Sequence, residues 1–147
     1  MSSPFTYHMS SYPSSLQACL QAFEESDAYA IMPPRLRFTA ELILDELISN
    51  IIKYGGLNCR EISVDLTADH ESLKLAITDD GNPFNPWLPA VRPMDEPVTD
   101  IQSLTIGGRG LEMLRAATDS RHYERTDGKN INILTRSTAA GQQPAAA

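Results

Sequence analysis

The stretch LDELISNIIKYGG, from Leu44 to Gly56, combines an apolar pattern of helical spacing with a row of three polar side chains. Because an α-helix advances about 100° per residue, Glu46, Asn50 and Lys53 fall within an arc of about 60°. The opposite side of this helix is apolar and carries Leu44, Leu47, Ile48 and Ile51. On a helix such a polar row is commonly a solvated edge. The alternative interpretation is a functional site.

Each of the three polar side chains has a chemistry that suits work on a phosphate group. The carboxylate of Glu46 can orient a nucleophile or take its proton. The amide oxygen of Asn50 can bind a hard cation such as Mg²⁺, and Lys53 can neutralise phosphate. Asn is also a poor helix former, so an Asn in the middle of a helix needs a reason to be there. The row therefore indicates a candidate site as well as a solvated edge.

Hydrophobic periodicity and turn residues divide the rest of the chain into short strands and helices. Pro33-Pro34 separates the first helix from the second, and Gly55-Gly56 ends the second helix. Asp127-Gly128 is a turn dipeptide that joins the last two strands in a hairpin. The predicted elements are a strand Phe5–Ser10, helices Pro13–Ala30 and Arg35–Tyr54, strands Arg60–Ala68 and Leu73–Thr78, a helix Gly110–Thr118, and strands Arg121–Thr126 and Asn130–Arg136.

This order of elements favours an α+β fold, because the strands come in antiparallel pairs with the helices gathered between them. We expect a two-layer α/β sandwich in which a mostly antiparallel, mixed sheet carries the helices on one face. A chain of 147 residues suits one domain with a real core. We assign that domain to residues 1–138 and predict that the remaining segment, residues 139–147, is a disordered tail.

The composition argues against several classes of function. The net charge is −7, and the twelve Lys and Arg residues are scattered, whereas nucleic-acid binding needs clustered basic residues. A cationic partner suits this charge better. Cys19 and Cys59 form no CxxC motif and the three histidines are scattered, which argues against structural zinc. The chain shows neither a secretory signal nor an apolar run of the roughly 20 residues that span a membrane, so we expect a cytoplasmic protein.

A second polar stretch, DDGNPF from Asp79 to Phe84, follows the second strand of the first predicted hairpin. Its Asp-Gly and Asn-Pro dipeptides are typical of a plain turn. The alternative is that Asp79, at the end of a buried strand, points into a pocket and accepts a hydrogen bond from a ligand amine. Gly81 would then let a flat ligand approach the backbone.

A third stretch, GGRG from Gly107 to Gly110, stands immediately before a predicted helix. Free N–H groups and the helix dipole at such a turn bind phosphate, whereas the other interpretation is a flexible hinge. Walker A, Rossmann and protein-kinase signatures are absent. The long proline-rich segment between the second and third stretches has a length typical of a lid, although a disordered insertion has the same appearance.

The three stretches together resemble the boxes of the superfamily of gyrase, histidine-kinase and MutL ATPases (GHKL). The pattern ExxxNxxKY over Glu46–Tyr54 resembles the N-box, DxGxPF over Asp79–Phe84 the first glycine box, and GGxGL over Gly107–Leu111 the second. The resemblance runs in order from about Phe5 to Arg136. Within the superfamily, the Pro-Phe pair, the GGxGL box and the terminal DGKNINIL hairpin look most like stand-alone anti-sigma-factor serine/threonine kinases. The implied Bergerat ATP-binding fold agrees with the element order.

The resemblance implies roles for individual residues. Glu46 would be the general base or would orient the acceptor hydroxyl, and Asn50 would bind Mg²⁺. Lys53 would approach the phosphates, Asp79 would accept the adenine amino group, and Gly81 would line the base pocket. The other implied ATP-binding residues are Gly108, Gly110 and Leu111, through backbone N–H groups, and Asn130 near adenine, with a lid over Asn85–Ile106.

The function implied by the resemblance is an ATP- and Mg²⁺-dependent serine/threonine protein kinase of the anti-sigma type. Its partner would be a sigma factor or an anti-anti-sigma domain, and relatives of this kind often form homodimers. A second hypothesis is a nucleotide-gated protein-binding module without kinase activity. A third is an interaction domain that binds no nucleotide. Titration with ATP separates the third hypothesis from the others, and replacement of Glu46 separates the first from the second.

Overall fold

The computed structural model describes residues 1–88 and 110–138, and this part of the chain forms five strands and four helices. In chain order they are β1 (Ser3–Ser10), α1 (Pro13–Glu24), α2 (Asp27–Ile31), α3 (Pro34–Tyr54), β2 (Glu61–Ala68), β3 (Ser72–Asp79), α4 (residues 110–117), β4 (Ser120–Thr126) and β5 (Lys129–Ser137). The predicted strands differ from these bounds by one or two residues. The predicted tail, residues 139–147, lies outside the described residues, so it stays a prediction.

The strands form one sheet in the order β1-β2-β3-β5-β4. All four pairings between neighbours in the described residues are antiparallel, so the sheet, predicted as mostly antiparallel and mixed, is entirely antiparallel in this part of the chain. Both predicted hairpins, β2–β3 and β4–β5, are present. Antiparallel pairs need only a short turn, which the sequence supplies at both places.

Side chains along the strands alternate between a face covered by helices and an open face. On β2 and β3 the covered face is the one predicted from the alternation: Ile62, Val64 and Leu66, then Leu73, Leu75 and Ile77. Helices α1, α2 and α3 contact the sheet, and α1 also packs on α3. The architecture is therefore the predicted α+β sandwich of one sheet and one helical layer.

The predicted helix Pro13–Ala30 is wrong, because the chain breaks at Ser26 into α1 and α2. The hydroxyl of Ser26 donates to the carbonyl of Phe23 at 2.6 Å and accepts from the backbone N–H of Tyr29 at 3.1 Å. Ser26 is thus the N-cap of α2, and a serine side chain that bonds to the backbone competes with a continuous helix. The break lets Phe23 and Tyr29 pack edge to face.

Helix α3 begins at two prolines and ends at two glycines, as the sequence predicts. Pro34 stands in the first turn, where the missing N–H removes no helical hydrogen bond. At the other end the N–H of Gly55 donates to the carbonyl of Ile51, and Gly56 adopts a φ of 75°, which favours glycine. The buried residues of this helix are Leu36, Thr39, Ala40, Ile43, Leu44, Leu47, Ile48, Asn50 and Ile51.

Candidate functional site

A pocket lies where the second half of α3 passes over the ends of β3 and β5. Four polar side chains in it are almost completely buried, since Asn50, Asp79, Asn130 and Asn132 are 7%, 3%, 2% and 3% exposed. Asp79 ends β3 and lies directly opposite Asn130 in the β3–β5 register. The residues that line the pocket are Leu47, Asn50, Ile51, Gly55, Asp79, Asn82, Phe84, Pro86, Asn130 and Asn132.

One carboxylate oxygen of Asp79 is committed to the protein and the other is not. Its Oδ1 accepts from the backbone N–H of Gly81 at 2.9 Å and from Nδ2 of Asn130 at 3.0 Å. Its Oδ2 receives no hydrogen bond from the described residues. Since no fully buried side-chain oxygen in this part of the chain lacks a partner, Oδ2 keeps some accessible surface. Burial raises the pKa of Asp79, which the hydrogen bonds from Asn130 and Gly81 oppose.

The amide of Asn130 is fully used by the protein. Its oxygen accepts from the backbone N–H of Phe84 at 3.3 Å, from Nη1 of Arg125 at 3.0 Å and from the hydroxyl of Tyr123. Its nitrogen donates to Asp79 and to the carbonyl of Asn82, the latter at 2.8 Å. An amide has two acceptor sites and two donor hydrogens, so Asn130 keeps no capacity for a further partner.

The amide of Asn50 is in the opposite situation. It lies in the pocket on α3 and makes no hydrogen bond with any of the described residues, while its polar atoms retain some accessible surface. The described residues also hold no group of three or more His, Cys, Asp or Glu side chains that could enclose a metal ion by themselves. Within the described residues, a cation at Asn50 would therefore find few protein ligands and would need others, for example from a bound molecule or from water.

Glu46 lies beside the first residue of α4. A methyl group on Gly110 would overlap the Glu46 carboxylate, so the glycine is what allows α4 to approach α3 so closely. Burial raises the pKa of Glu46; the nearby charge of Asp45 raises it further and that of Lys53 lowers it. The N-terminal end of a helix carries a partial positive charge, which favours a negative group at this position.

We expect Gly110→Ala to displace the Glu46 carboxylate with little loss of fold stability. Alanine is favoured over glycine in a helix by about 1 kcal/mol, and the atoms it would meet are the end of a flexible side chain. We expect the rate of phosphoryl transfer to fall by about tenfold or more, because catalysis is sensitive to small displacements of a catalytic group. Thermal unfolding and initial rates would be measured together. Ala116→Gly, on the exposed side of α4, is the control for helix propensity, and an unchanged rate in Gly110→Ala would argue against a placed carboxylate.

The structure divides the predicted row on α3. Asn50 is buried in the pocket, Glu46 is partly buried at the junction with α4, and Lys53 is exposed but near enough to Glu46 to lower its pKa. The solvated-edge interpretation therefore fits Lys53 alone. Gly81 is joined to the pocket by its hydrogen bond to Asp79. Leu111 packs against the apolar core from the first turn of α4.

Two predicted features fall largely outside the described residues. Gly108 lies there with Gly107 and Arg109, so the proposed phosphate-binding turn stays a prediction. Of the predicted lid, Asn85–Ile106, only residues 85–88 are described. Within them, Trp87 donates from its ring nitrogen to Oδ1 of Asn132 at 3.1 Å and accepts at its carbonyl from Arg115. The start of this segment is thus tied to β5 and to α4.

Sequence reasoning missed several pocket residues, and for one of them a signal was present. Asn132 follows Asn130 at a spacing of two, so both point to the same face of β5. Two asparagines on the covered face of a strand are unusual and indicate a polar site. Asn82, Phe84 and Pro86 carry no comparable signal, because their place in the pocket follows from the path of an irregular segment.

Comparison with known proteins points to the same region of the chain. A family model described as histidine kinase-like ATPase domain matches residues 9–136. A curated relative from Bordetella bronchiseptica, named serine/threonine-protein kinase BtrW, is 31% identical over 107 residues, which cover 71% of this chain and 73% of the relative. The matched region contains both the pocket and the α3–α4 junction. The chain belongs to the histidine kinase-like ATPase domain family.

Proposed function

We propose that this protein binds ATP with Mg²⁺ and transfers the γ-phosphoryl group to a serine or threonine hydroxyl of a partner protein. The observation that carries the proposal is that one Asp79 oxygen and the Asn50 amide lie in one pocket and both lack a hydrogen-bond partner among the described residues. The family and the relative named as a serine/threonine-protein kinase support the same function.

Asp79 would recognise the base. Its Oδ2 is an acceptor on a carboxylate held in place by two hydrogen bonds to Oδ1. The 6-amino group of adenine is a donor of matching geometry, and a hydrogen bond to a charged acceptor is worth about 1.5–3 kcal/mol. Gly81, whose N–H holds the same carboxylate, would let the ring lie close to the backbone.

Asn50 would hold the metal. Mg²⁺ prefers oxygen ligands, keeps several waters and commonly takes few protein ligands together with substrate phosphates. A single buried amide oxygen without a described protein partner fits that requirement. When bound, Mg²⁺ neutralises charge on the phosphate oxygens. Lys53, exposed one turn further along α3, would contribute a second positive charge near the phosphates.

Glu46 would act on the hydroxyl of the partner. As the hydroxyl oxygen bonds to the γ-phosphorus, its proton passes to the Glu46 carboxylate, the bond from phosphorus to the β–γ bridging oxygen breaks, and ADP leaves. The pKa of Glu46 is raised by burial, so the group is a stronger base than an exposed glutamate, and a base works best when its pKa approaches the working pH. Gly110 and Leu111 would offer backbone N–H groups to the phosphates from the first turn of α4.

For the partner we propose a sigma factor or an anti-anti-sigma domain, in a cytoplasmic pathway. The order and the residues of the three sequence boxes, which resemble those of anti-sigma-factor kinases, support this proposal. The net charge of −7 favours a partner with a cationic face and steers its approach. We also propose that the protein forms a homodimer. Among the described residues, none of the helices combines the length and apolar character that crossing a bilayer requires.

A specific observation favours a second candidate, the nucleotide-gated binding module. The cavity between Asn50, Asp79 and Phe84 measures about 10 Å³, which is room for about one water molecule. An adenine ring therefore enters only if some of the residues that line the cavity move. Nucleotide binding would then change the surface presented to a partner, whether or not a phosphate is transferred.

The test begins with calorimetric titration of the protein with ATP, with and without Mg²⁺. We expect saturable heat, a rise in thermal unfolding temperature and a change in the fluorescence of Trp87, which is the only tryptophan of the chain. Purified anti-anti-sigma candidates would then be incubated with protein and Mg-ATP, and phosphoserine or phosphothreonine would be measured. Absence of both heat and thermal shift would overturn both candidates. Binding without any phosphorylated product would favour the gated module.

A further inference from the structure

The edge strand β4 contacts Asn130, one of the pocket residues, through two side chains. Arg125 and Tyr123 both donate to the amide oxygen of Asn130. Nη1 of Arg125 also donates to the carbonyl of Gly81 at 3.1 Å, and its Nη2 to the carbonyl of Gly128 at 3.3 Å. Arg125 thus joins the turn after β3, the β4–β5 turn and Asn130. We call Tyr123, Arg125 and Asn130 the β4 clamp.

The clamp settles which way the Asn130 amide faces. Arg125 and the backbone N–H of Phe84 can only donate, so they require the oxygen of Asn130 on their side. The nitrogen is thereby directed at Asp79 and at the carbonyl of Asn82. An exchanged amide would set its NH₂ group against the donors of Arg125 and Phe84, and its oxygen against the Asp79 carboxylate and the carbonyl of Asn82.

The hydrogen bond from Asn130 in turn fixes which carboxylate oxygen of Asp79 is available to a ligand. Because Oδ1 is filled by Asn130 and Gly81, Oδ2 remains as a fixed acceptor at the pocket. A fixed acceptor accepts from the 6-amino group of adenine and repels the 6-oxo group of hypoxanthine or guanine. A site built to bond an N–H group can reject an analogue that lacks it by large factors.

We propose that Arg125 and Tyr123 are positioning residues that, through Asn130, hold Asp79 as a hydrogen-bond acceptor and so set the preference for a 6-aminopurine over a 6-oxopurine nucleotide. This inference rests on the proposed ATP site. It assigns Asn130 an indirect role, since its amide has no hydrogen-bonding capacity left for the base. Neither Arg125 nor Tyr123 touches the nucleotide in this scheme.

The experiment compares dissociation constants for ATP and inosine triphosphate, which differs from ATP at the base only by carrying a 6-oxo group and a protonated N1. They would be measured by calorimetry for the wild type, Arg125→Ala, Tyr123→Phe and the double variant. Glu124→Gln is the matched control, because this neighbour on β4 is exposed and forms no contact with Asn130. Arg125→Lys tests rescue, since lysine keeps the positive charge and a donor group but lacks the forked guanidinium.

We expect the wild type and Glu124→Gln to prefer ATP strongly. In the double variant the ratio of the two dissociation constants should fall by about tenfold or more, because a freed Asn130 no longer fixes the acceptor. Arg125→Lys should recover part of the ratio. If Arg125→Ala does not fold, the ratio is compared between the wild type and Tyr123→Phe, which removes only a hydroxyl.

Parallel losses of affinity for both nucleotides, with an unchanged ratio, would overturn the inference and leave the clamp a purely structural role. The inference would also be overturned if the double variant preferred ATP as strongly as the wild type does. A wild type that binds neither nucleotide would overturn the proposed function itself, and the inference would fall with it. The wild-type titration therefore separates the two kinds of failure.

Discussion

Asp79→Asn should weaken ATP binding by about 10- to 100-fold or more, because a hydrogen bond to a charged acceptor worth about 1.5–3 kcal/mol is lost. The replacement keeps an oxygen for Gly81 and Asn130 but puts an NH₂ group where Oδ2 stood. That group and the adenine amino group are both donors, so the loss exceeds simple removal of a contact. Titration calorimetry with Mg-ATP measures it.

The same variant should not lose stability at neutral pH. Burial raises the pKa of Asp79 in the folded protein above its unfolded value, so the stability linked to its protonation is fully present below the unfolded pKa and is lost as pH rises through the folded pKa. An asparagine does not ionise and escapes that loss. At pH 7 the unfolding temperature of Asp79→Asn should therefore equal or exceed that of the wild type, and the gain should shrink toward acid pH.

Asp80→Asn is the matched control for both measurements. Asp80 is the adjacent carboxylate, but it accepts from the backbone N–H groups of Arg60 and Glu61, away from the pocket. We expect its ATP affinity to match that of the wild type. Equal ATP affinity in Asp79→Asn would remove Asp79 as the base acceptor, and a large drop in its unfolding temperature would point to a structural role instead.

Glu46→Gln should reduce phosphoryl transfer by about 10²- to 10⁴-fold, the range over which a positioned general base acts. Glutamine has nearly the shape of glutamate but cannot take a proton from the acceptor hydroxyl. ATP affinity should stay close to the wild-type value, because Glu46 does not line the base pocket. Formation of phosphoserine or phosphothreonine on the partner, and basal release of ADP with water as acceptor, are the two rates to compare.

The pH dependence of transfer gives a second measurement. Burial raises the pKa of Glu46, and the carboxylate acts only when ionised, so the wild-type rate should fall as pH drops through that raised value. The Glu46→Gln variant should lack this acid limb. Asp45→Asn, which alters an exposed neighbour, should keep both the rate and the limb, with the limb moved slightly to lower pH.

One result would contradict the assigned role of Glu46, and another would keep that role but move the biological effect to binding. Wild-type rates in Glu46→Gln would exclude it as the base. Full control of the partner by Glu46→Gln, with transfer abolished, would show that nucleotide-gated binding carries the biological effect. In that second case the cavity of about 10 Å³, which has to open for adenine, becomes the functional element.

Local patterns predicted most of the elements because they act over a few residues. The alternation of β2 and β3 identified their buried faces, and prolines and glycines marked both ends of α3. Prediction failed at Ser26, where two hydrogen bonds between the serine hydroxyl and the backbone replace a continuous helix. It also failed to find the polar face of β5.

On β5 the sequence alternates asparagine and isoleucine, and either set could face the helices. In the structure Asn130 and Asn132 lie on the covered face, while Ile131 and Ile133 are only partly buried on the other. A prediction from hydrophobicity alone would place the isoleucines on the covered face and the asparagines on the open one. The register with β3 decides the matter, because it sets Asp79 opposite Asn130 and gives the buried amide its partner.

The sequence by itself determined most of the strands and helices and the sandwich of one sheet and one helical layer, and it predicted a site from three polar stretches. Only the tertiary structure decided which side chains of these stretches form hydrogen bonds with one another and which atoms remain available. Asp79 and Asn130 are 51 residues apart, yet their hydrogen bond leaves one carboxylate oxygen for a ligand. The close approach of Gly110 to Glu46 likewise depends on how α4 packs on α3. Such contacts arise from packing and register between distant segments, which local periodicity does not encode.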